Sequence, residues 1–148
     1  MRTTKMSIKV ARTDASVKLP AKANDTDAGF DFFIPQDVTI PAHCRVMIDT
    51  MIVFQVPLGW ELRMCSKSGL MSRGITCMGG EVDYGYSNTI KACLRNETDE
   101  DFKLYAGMKF VQGILTPIGM DSIEEVPAKT IEDESTVRGK GGFGSTGA

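Results

Sequence analysis

The sequence predicts an all-β domain, and three observations carry the prediction. Apolar residues recur with a period of two rather than 3.6: Ile90, Ala92 and Leu94 alternate with Thr89, Lys91 and Cys93, the pattern of a half-buried strand. Runs rich in β-branched and aromatic residues are short, and turn residues separate them at intervals too small for long helices. Only one stretch reads as a helix.

Taken in order, strands are expected at residues 7–10, 46–56, 60–64, 102–105 and 110–118, with the alternating run at 89–94. Pro35, Pro41, Pro57-Leu58-Gly59, Gly79-Gly80, Asn96, Ala106-Gly107 and Pro117 mark the turns between them. The one helix starts at Ser68 and ends at Gly74. Many short strands at this spacing suggest a sandwich or barrel. No internal repeat is visible. Composition shifts near Pro127: residues 129–137 are polar and acidic, and residues 138–148 read RGKGGFGSTGA, with five glycines and one large apolar side chain, Phe143. A segment with so little to bury cannot form a packed element of its own. The expected organisation is a β domain over residues 1–127 and a flexible glycine-rich arm over residues 128–148.

Composition excludes several function classes. The 148 residues are 42% apolar, an ordinary balance for one globular core. Seventeen Lys+Arg against 19 Asp+Glu leave a net charge of −2, so no positive field collects nucleic acid or anionic lipid. Cys44, Cys65, Cys77 and Cys93 form no C-x-x-C pair, and His43 is the single histidine, which removes the zinc reading. Cysteines spaced this widely are expected as buried, reduced thiols. His43 lies in Pro41-Ala42-His43-Cys44-Arg45, a surface turn entering a strand rather than the partner of a nucleophile. The N-terminal residues lack the apolar region of a secretory signal, and no run approaches the length of a membrane span. Asn24-Asp25-Thr26 and Asn96-Glu97-Thr98 are therefore read as chance matches to the glycosylation triplet, and the expected placement is a reducing cytoplasm.

Five segments carry chemistry. Ala28-Gly29-Phe30-Asp31-Phe32-Phe33 sets one acid among aromatics. Ser66-Lys67-Ser68-Gly69-Leu70 puts a cation and a hydroxyl where the helix starts, a place that favours phosphate. Gly80-Glu81-Val82-Asp83-Tyr84-Gly85-Tyr86 sets an acid and a tyrosine in a glycine-bounded hairpin, and Gly107-Met108-Lys109-Phe110-Val111-Gln112 ends a β run with an amide. The arm contains Gly139-Lys140-Gly141-Gly142-Phe143-Gly144, formally G-x-G-x-x-G, but no strand precedes it and too little chain follows for a dinucleotide fold. Its glycine backbone, with Arg138, Lys140, Ser145 and Thr146, still suits an anion, and Phe143 suits stacking on a base. Alone, each has a plain structural reading: a turn aspartate, an exposed strand glutamine, a serine helix cap, a linker end.

In this order and spacing, the five segments resemble the five motifs of the trimeric deoxyuridine triphosphatase (dUTPase) family, over roughly residues 20–148. The resemblance implies a jelly-roll domain, a homotrimer whose sites are shared between subunits, and Mg²⁺-dependent hydrolysis of dUTP to dUMP and pyrophosphate by water attack on the α-phosphate. It assigns Asp83 to orienting and deprotonating that water, a role suited to a carboxylate in hydrogen-bond reach. It packs Tyr86 on the deoxyribose and uses hairpin backbone at Gly80 and Val82 to read uracil. Asp31 holds Mg²⁺ through water. Lys67, Ser68, Gly69 and Gln112 meet phosphates. Arg138, Gly142, Gly144, Ser145 and Thr146 clamp the triphosphate as a lid, with Phe143 over the base. No direct nucleic-acid or membrane partner is implied, and a protein regulator is compatible with the chain but not indicated by it.

Three positions depart from the family pattern. Ser66-Lys67-Ser68 stands for Pro-Arg-Ser, which keeps the charge and loses the bidentate fork. Asn88 stands where glycine is common, and asparagine tolerates a left-handed backbone. Tyr84 is bulkier than the usual residue. Related readings fare worse. A dCTP deaminase of the same fold lacks this arm, and a purely regulatory or structural jelly roll has no need of Asp83, Tyr86 and Phe143 together.

Overall fold

The computed structural model describes residues 6–132, 136–144 and 147. Along these the elements are β1 (Val10–Arg12), β2 (Phe30–Phe33), β3 (Val38–Ile40), β4 (Arg45–Asp49), β5 (Ile52–Phe54), β6 (Trp60–Ser66), α1 (Ser68–Met71), β7 (Ile75–Cys77), β8 (Glu81–Val82), β9 (Lys91–Asn96), β10 (Phe102–Leu104), β11 (Lys109–Pro117) and α2 (Ala128–Ile131). The strands form a four-stranded sheet ordered β2-β11-β6-β8, a three-stranded sheet ordered β4-β9-β7, and the two-stranded ribbons β1-β5 and β10-β3. Every pairing is antiparallel.

The period of two does the packing. In β9, Ala92, Leu94 and Asn96 are buried while Lys91 points out. Phe32, Leu62, Met64 and Val111 of the larger sheet join Ile48, Ile75, Ala92 and Leu94 of the smaller one in a single core. Gly113 lets that core close: a Cβ there would stand 2.9 Å from both Leu62 Cδ1 and Phe32 Cε2. Asn96 is polar and fully buried, and its Nδ2 donates to the Ile40 and Glu100 carbonyls.

Several expectations change. The run at 46–56 divides into β4 and β5. The Asp49 carboxylate accepts the Met51 N–H at 2.8 Å, and Met51 sits at φ 57°. The Thr50 hydroxyl donates to the Ile90 carbonyl and takes the Ile52 N–H, so polar side chains redirect the chain. The strand expected at 7–10 lies instead at Val10–Arg12. The helix expected over 68–74 ends at Met71 and gives way to a turn, and α2 is a second helical turn inside the segment expected to be irregular. It buries no residue. The four cysteines are unpaired as expected but not buried: Cys44 is exposed and Cys65, Cys77 and Cys93 are half-buried. His43 is an exposed turn residue paired with Asp99 at 2.7 Å. No helix among the described residues is long and apolar enough to cross a membrane.

Alternation breaks once where it matters. β11 pairs with β2 through Lys109↔Phe33 and then Val111↔Phe32, a bulge that buries the consecutive residues Phe110 and Val111. A bulge resets side-chain parity along its strand. Lys109 and Gln112, three residues apart, consequently serve the same face, as the contacts of that face show below.

Candidate active site

On the outer face of the larger sheet, Asp31, Gln112 and Cys65 are cross-strand neighbours in one row, through Gln112↔Asp31 and Gln112↔Cys65. Asp31 is only 6% exposed. The Lys67 ammonium lies 2.5 Å from its Oδ1, and the Lys109 ammonium 3.0 Å from its Oδ2. Burial works to raise the Asp31 carboxyl, but the hydrogen bonds and charges of the two lysines outweigh it and hold the group below the usual carboxylate range. Its backbone is fixed as well, by paired hydrogen bonds with Ala21.

Gln112 is held by its neighbours. Its Nε2 donates to the Ser66 carbonyl at 3.0 Å. Its Oε1 lies 2.8 Å from where an ideal Cβ at Gly29 would stand, so a side chain there would displace the amide. Ser66, the departure from proline, accepts the Cys77 N–H on its hydroxyl at 2.8 Å and ties β6 to β7. Lys67 is the N-cap of α1 and makes no side-chain cap bond, so Ser68 is not the cap either. Ser68 and Gly69 are exposed, with open space where a Gly69 side chain would project. At four residues α1 is too short to concentrate a helix dipole, so charge at this spot comes from Lys67.

The second cluster is built from backbone. Gly79 and Gly80 have φ of 86° and 132°, conformations that turn the chain from β7 into β8. The expected hairpin is instead a two-residue strand pairing Leu62↔Val82 and Arg63↔Glu81 on β6, and the Met64 N–H donates to the Gly80 carbonyl. A turn follows, closed by the Tyr86 N–H donating to the Asp83 carbonyl at 3.2 Å. Asp83 is exposed beside a cleft of about 250 Å³ lined by Met64, Gly80, Glu81, Val82, Asp83, Tyr86, Ile90 and Lys91. The Tyr86 hydroxyl donates to the Thr89 carbonyl at 3.1 Å, which sets the ring at the cleft wall. Asn88 does not use the left-handed backbone: its Oδ1 accepts the Thr89 N–H, and positive φ outside glycine occurs among the described residues only at His43, Met51 and Phe143.

These two clusters do not meet within the chain. Asp31 on β2 and Val82 on β8 are three strands apart in one sheet, about 14 Å at 4.8 Å per strand. The cleft contains neither Asp31, Lys67 nor Gln112. Its volume is also below the roughly 300–1,000 Å³ usual for a small-molecule pocket, room for part of a ligand. Among the described residues of the arm, Arg138, Phe143 and Gly144 are exposed, Gly142 is half-buried, and Lys140 pairs with Glu132 at 3.0 Å. Ser145 and Thr146 lie outside the described residues.

Several participants were missed by reading the sequence. Met64, Ile90 and Lys91 line the cleft without any motif to mark them. Lys109 stood inside a quoted segment but gave no signal, because strict alternation puts it on the face opposite Gln112.

The dUTPase family matches residues 15–147 of the chain. Deoxyuridine 5′-triphosphate nucleotidohydrolase of Saccharomyces cerevisiae is 38% identical over 141 residues, covering 95% of this chain and 94% of that one. Among solved structures, the dUTPase of Staphylococcus bacteriophage 80alpha with dUpNHpp superposes with a TM-score of 0.87 at 22% identity, over 97% of this chain and all of that one. A mutant dUTPase of phage phi11 of S. aureus, whose structure shows the coordination of a structural Mg(II) ion, gives 0.77 at 20% identity, over 82% of this chain and 97% of that one. The fold is thus the dUTPase jelly roll, and with a family match across nearly its whole length the chain belongs to the dUTPase family.

Proposed function

We propose that the chain hydrolyses dUTP to dUMP and pyrophosphate, in sites completed between subunits of a homotrimer. The separation of the two clusters carries this reading. One holds a carboxylate beside a cleft of about 250 Å³, and the other holds cations on a buried acid, so neither alone suffices for base, sugar and three phosphates. A second copy supplies the missing half, and the arm of a third covers the ligand.

In the cleft, Gly80 and Val82 backbone reads the uracil edge, and Tyr86 packs on the deoxyribose, leaving no room for a 2′-hydroxyl. Asp83 accepts the proton of the attacking water. The new oxygen bond forms at the α-phosphorus as its bond to the bridging oxygen breaks, and pyrophosphate leaves. Lys67, Ser68, Gly69 and Gln112 meet phosphate oxygens. Arg138, Gly142, Phe143, Gly144, Ser145 and Thr146 form the lid that excludes water.

Asp31 suits Mg²⁺ only in a hydrated form. Both its oxygens carry lysines, and among the described residues no group of three or more His, Cys, Asp or Glu side chains could hold a metal. Mg²⁺ keeps several waters and is commonly bound through one or two carboxylates and substrate phosphates. Asp31 is the residue that would hold it through water. When bound, it neutralises phosphate charge. Four unpaired cysteines fit a reducing cytoplasm. Pyrophosphate release from dUTP, UTP, dTTP and dCTP, with and without Mg²⁺, tests the assignment. Release from dUTP alone, and only with metal, is expected; equal release from dTTP or UTP overturns it.

A further inference from the structure

Lys67 commits one of its three ammonium donors, and most of its charge, to Asp31, so its pull on a phosphate is weakened while that pair is closed. The carboxylate is almost fully buried, and leaving such a group unpaired is strongly unfavourable. Lys109 changes that balance. It occupies the other carboxylate oxygen, at 3.0 Å, from a different strand, and its position depends on the β11 bulge. Of the two lysines, Lys67 is the more enclosed at 27% side-chain exposure, against 46% for Lys109. We infer that Lys109 is a positioning residue that keeps Asp31 compensated, so that Lys67 can exchange the carboxylate for the substrate's phosphates.

The inference rests on the proposed phosphate role of Lys67 and adds a competition between two acceptors for one cation. Without Lys109, Asp31 holds Lys67 more tightly and phosphate binding weakens. Without the Asp31 charge, nothing holds Lys67 back, and Lys109 no longer matters. A direct contact between Lys109 and phosphate predicts otherwise, because its loss then weakens binding whatever stands at residue 31.

The test is a double-mutant cycle on the binding of metal-free dUpNHpp, by calorimetry in EDTA, with the full chain as wild type, Lys109→Met, Asp31→Asn and the double variant. Excluding metal keeps any metal contact of Asp31 out of the result. Lys109→Met is expected to weaken binding about tenfold in the wild-type background and less than twofold in the Asp31→Asn background. Asp31→Asn alone tightens metal-free binding. Lys109→Arg, which keeps the charge, restores affinity to within about threefold. Should Lys109→Met not fold, Lys109→Gln takes its place in the cycle. Equal losses in both backgrounds make Lys109 a direct phosphate ligand and overturn the inference, as does no loss in either. Failure of the wild type to bind dUpNHpp overturns the proposed function itself, and the inference with it.

Discussion

The cleft beside Asp83 and the cluster around Asp31 are built by opposite means. The cleft is lined by the short segment from Gly80, at φ 132°, to Asp83, together with Tyr86 and side chains of β6 and β9, and the Asp83 carboxylate is exposed. The cluster is made of charged side chains, Asp31 and Lys109 on strands and Lys67 at the start of α1, with the acid buried and both cations paired to it. A flat base presents fixed donors and acceptors that backbone can match, and a tight backbone leaves no space for extra substituents. A triphosphate presents charge, which calls for cations whose aim is set by a rigid scaffold. Damage to the first region should therefore fall on chemistry and selectivity, and damage to the second on affinity and stability.

The largest test of that division is Asp83→Asn. Losing the group that takes the proton should lower kcat by about 10³-fold, within the range of general-base contributions, while the Kd for dUpNHpp changes less than about threefold. Near-normal turnover would remove Asp83 from the chemistry, and an equal loss of binding would erase the contrast between the regions.

Deleting residues 138–148 comes next. No described residue of the arm beyond 136 is buried, so melting should shift by no more than about 2 °C. If the arm is a lid, kcat/KM for dUTP should fall about a hundredfold through lost positioning and water exclusion. An active truncation means that the two clusters suffice without it.

Tyr86→Ala sharpens the cleft's side of the comparison. The ring is set by its hydroxyl bond to the Thr89 carbonyl, so truncation should lower the dUTP/UTP ratio of kcat/KM about tenfold, and Tyr86→Phe only about twofold. Unchanged selectivity in the alanine variant would move sugar discrimination elsewhere.

The two regions were also unequally legible in the sequence. The cleft announced itself, since Gly80, Asp83 and Tyr86 are close in the chain and glycine marks places where backbone must turn. The cluster draws on β2, β11 and the residue that follows β6, and only sheet pairing and the Lys67–Asp31 contact bring Asp31, Gln112 and Lys67 together. Lys109 was hidden for a stricter reason: a bulge is a change of count that periodicity cannot show. The same limit split the strand expected at 46–56, where the hydrogen bonds of Asp49 and Thr50 override a continuous β-branched pattern. Period two was enough for β9 and the core, because burial on one face is what creates the period.

The smallest expected effect is on stability against pH, and its sign follows from the Asp31 cluster alone. The Asp31 carboxyl is held below its ordinary range in the folded chain by Lys67 and Lys109, against the opposing pull of burial. The unfolded chain, with a carboxyl pKa of about 3.9, takes up its proton first as pH falls. This stabilisation is complete above the unfolded value and drains away as pH drops through the lower folded value. Wild-type melting temperature should therefore decline below about pH 4, and Asp31→Asn should decline less over the same interval, as followed by circular dichroism. Near pH 7 the order of variants is informative too. Asp31→Asn removes the buried charge and leaves two lysines with access to water, whereas Lys67→Met with Lys109→Met leaves the buried charge alone, so the double lysine variant should be the less stable. The reverse order would mean that the lysines, rather than the acid, bear the desolvation, and that the cluster is held together from outside rather than from its buried centre.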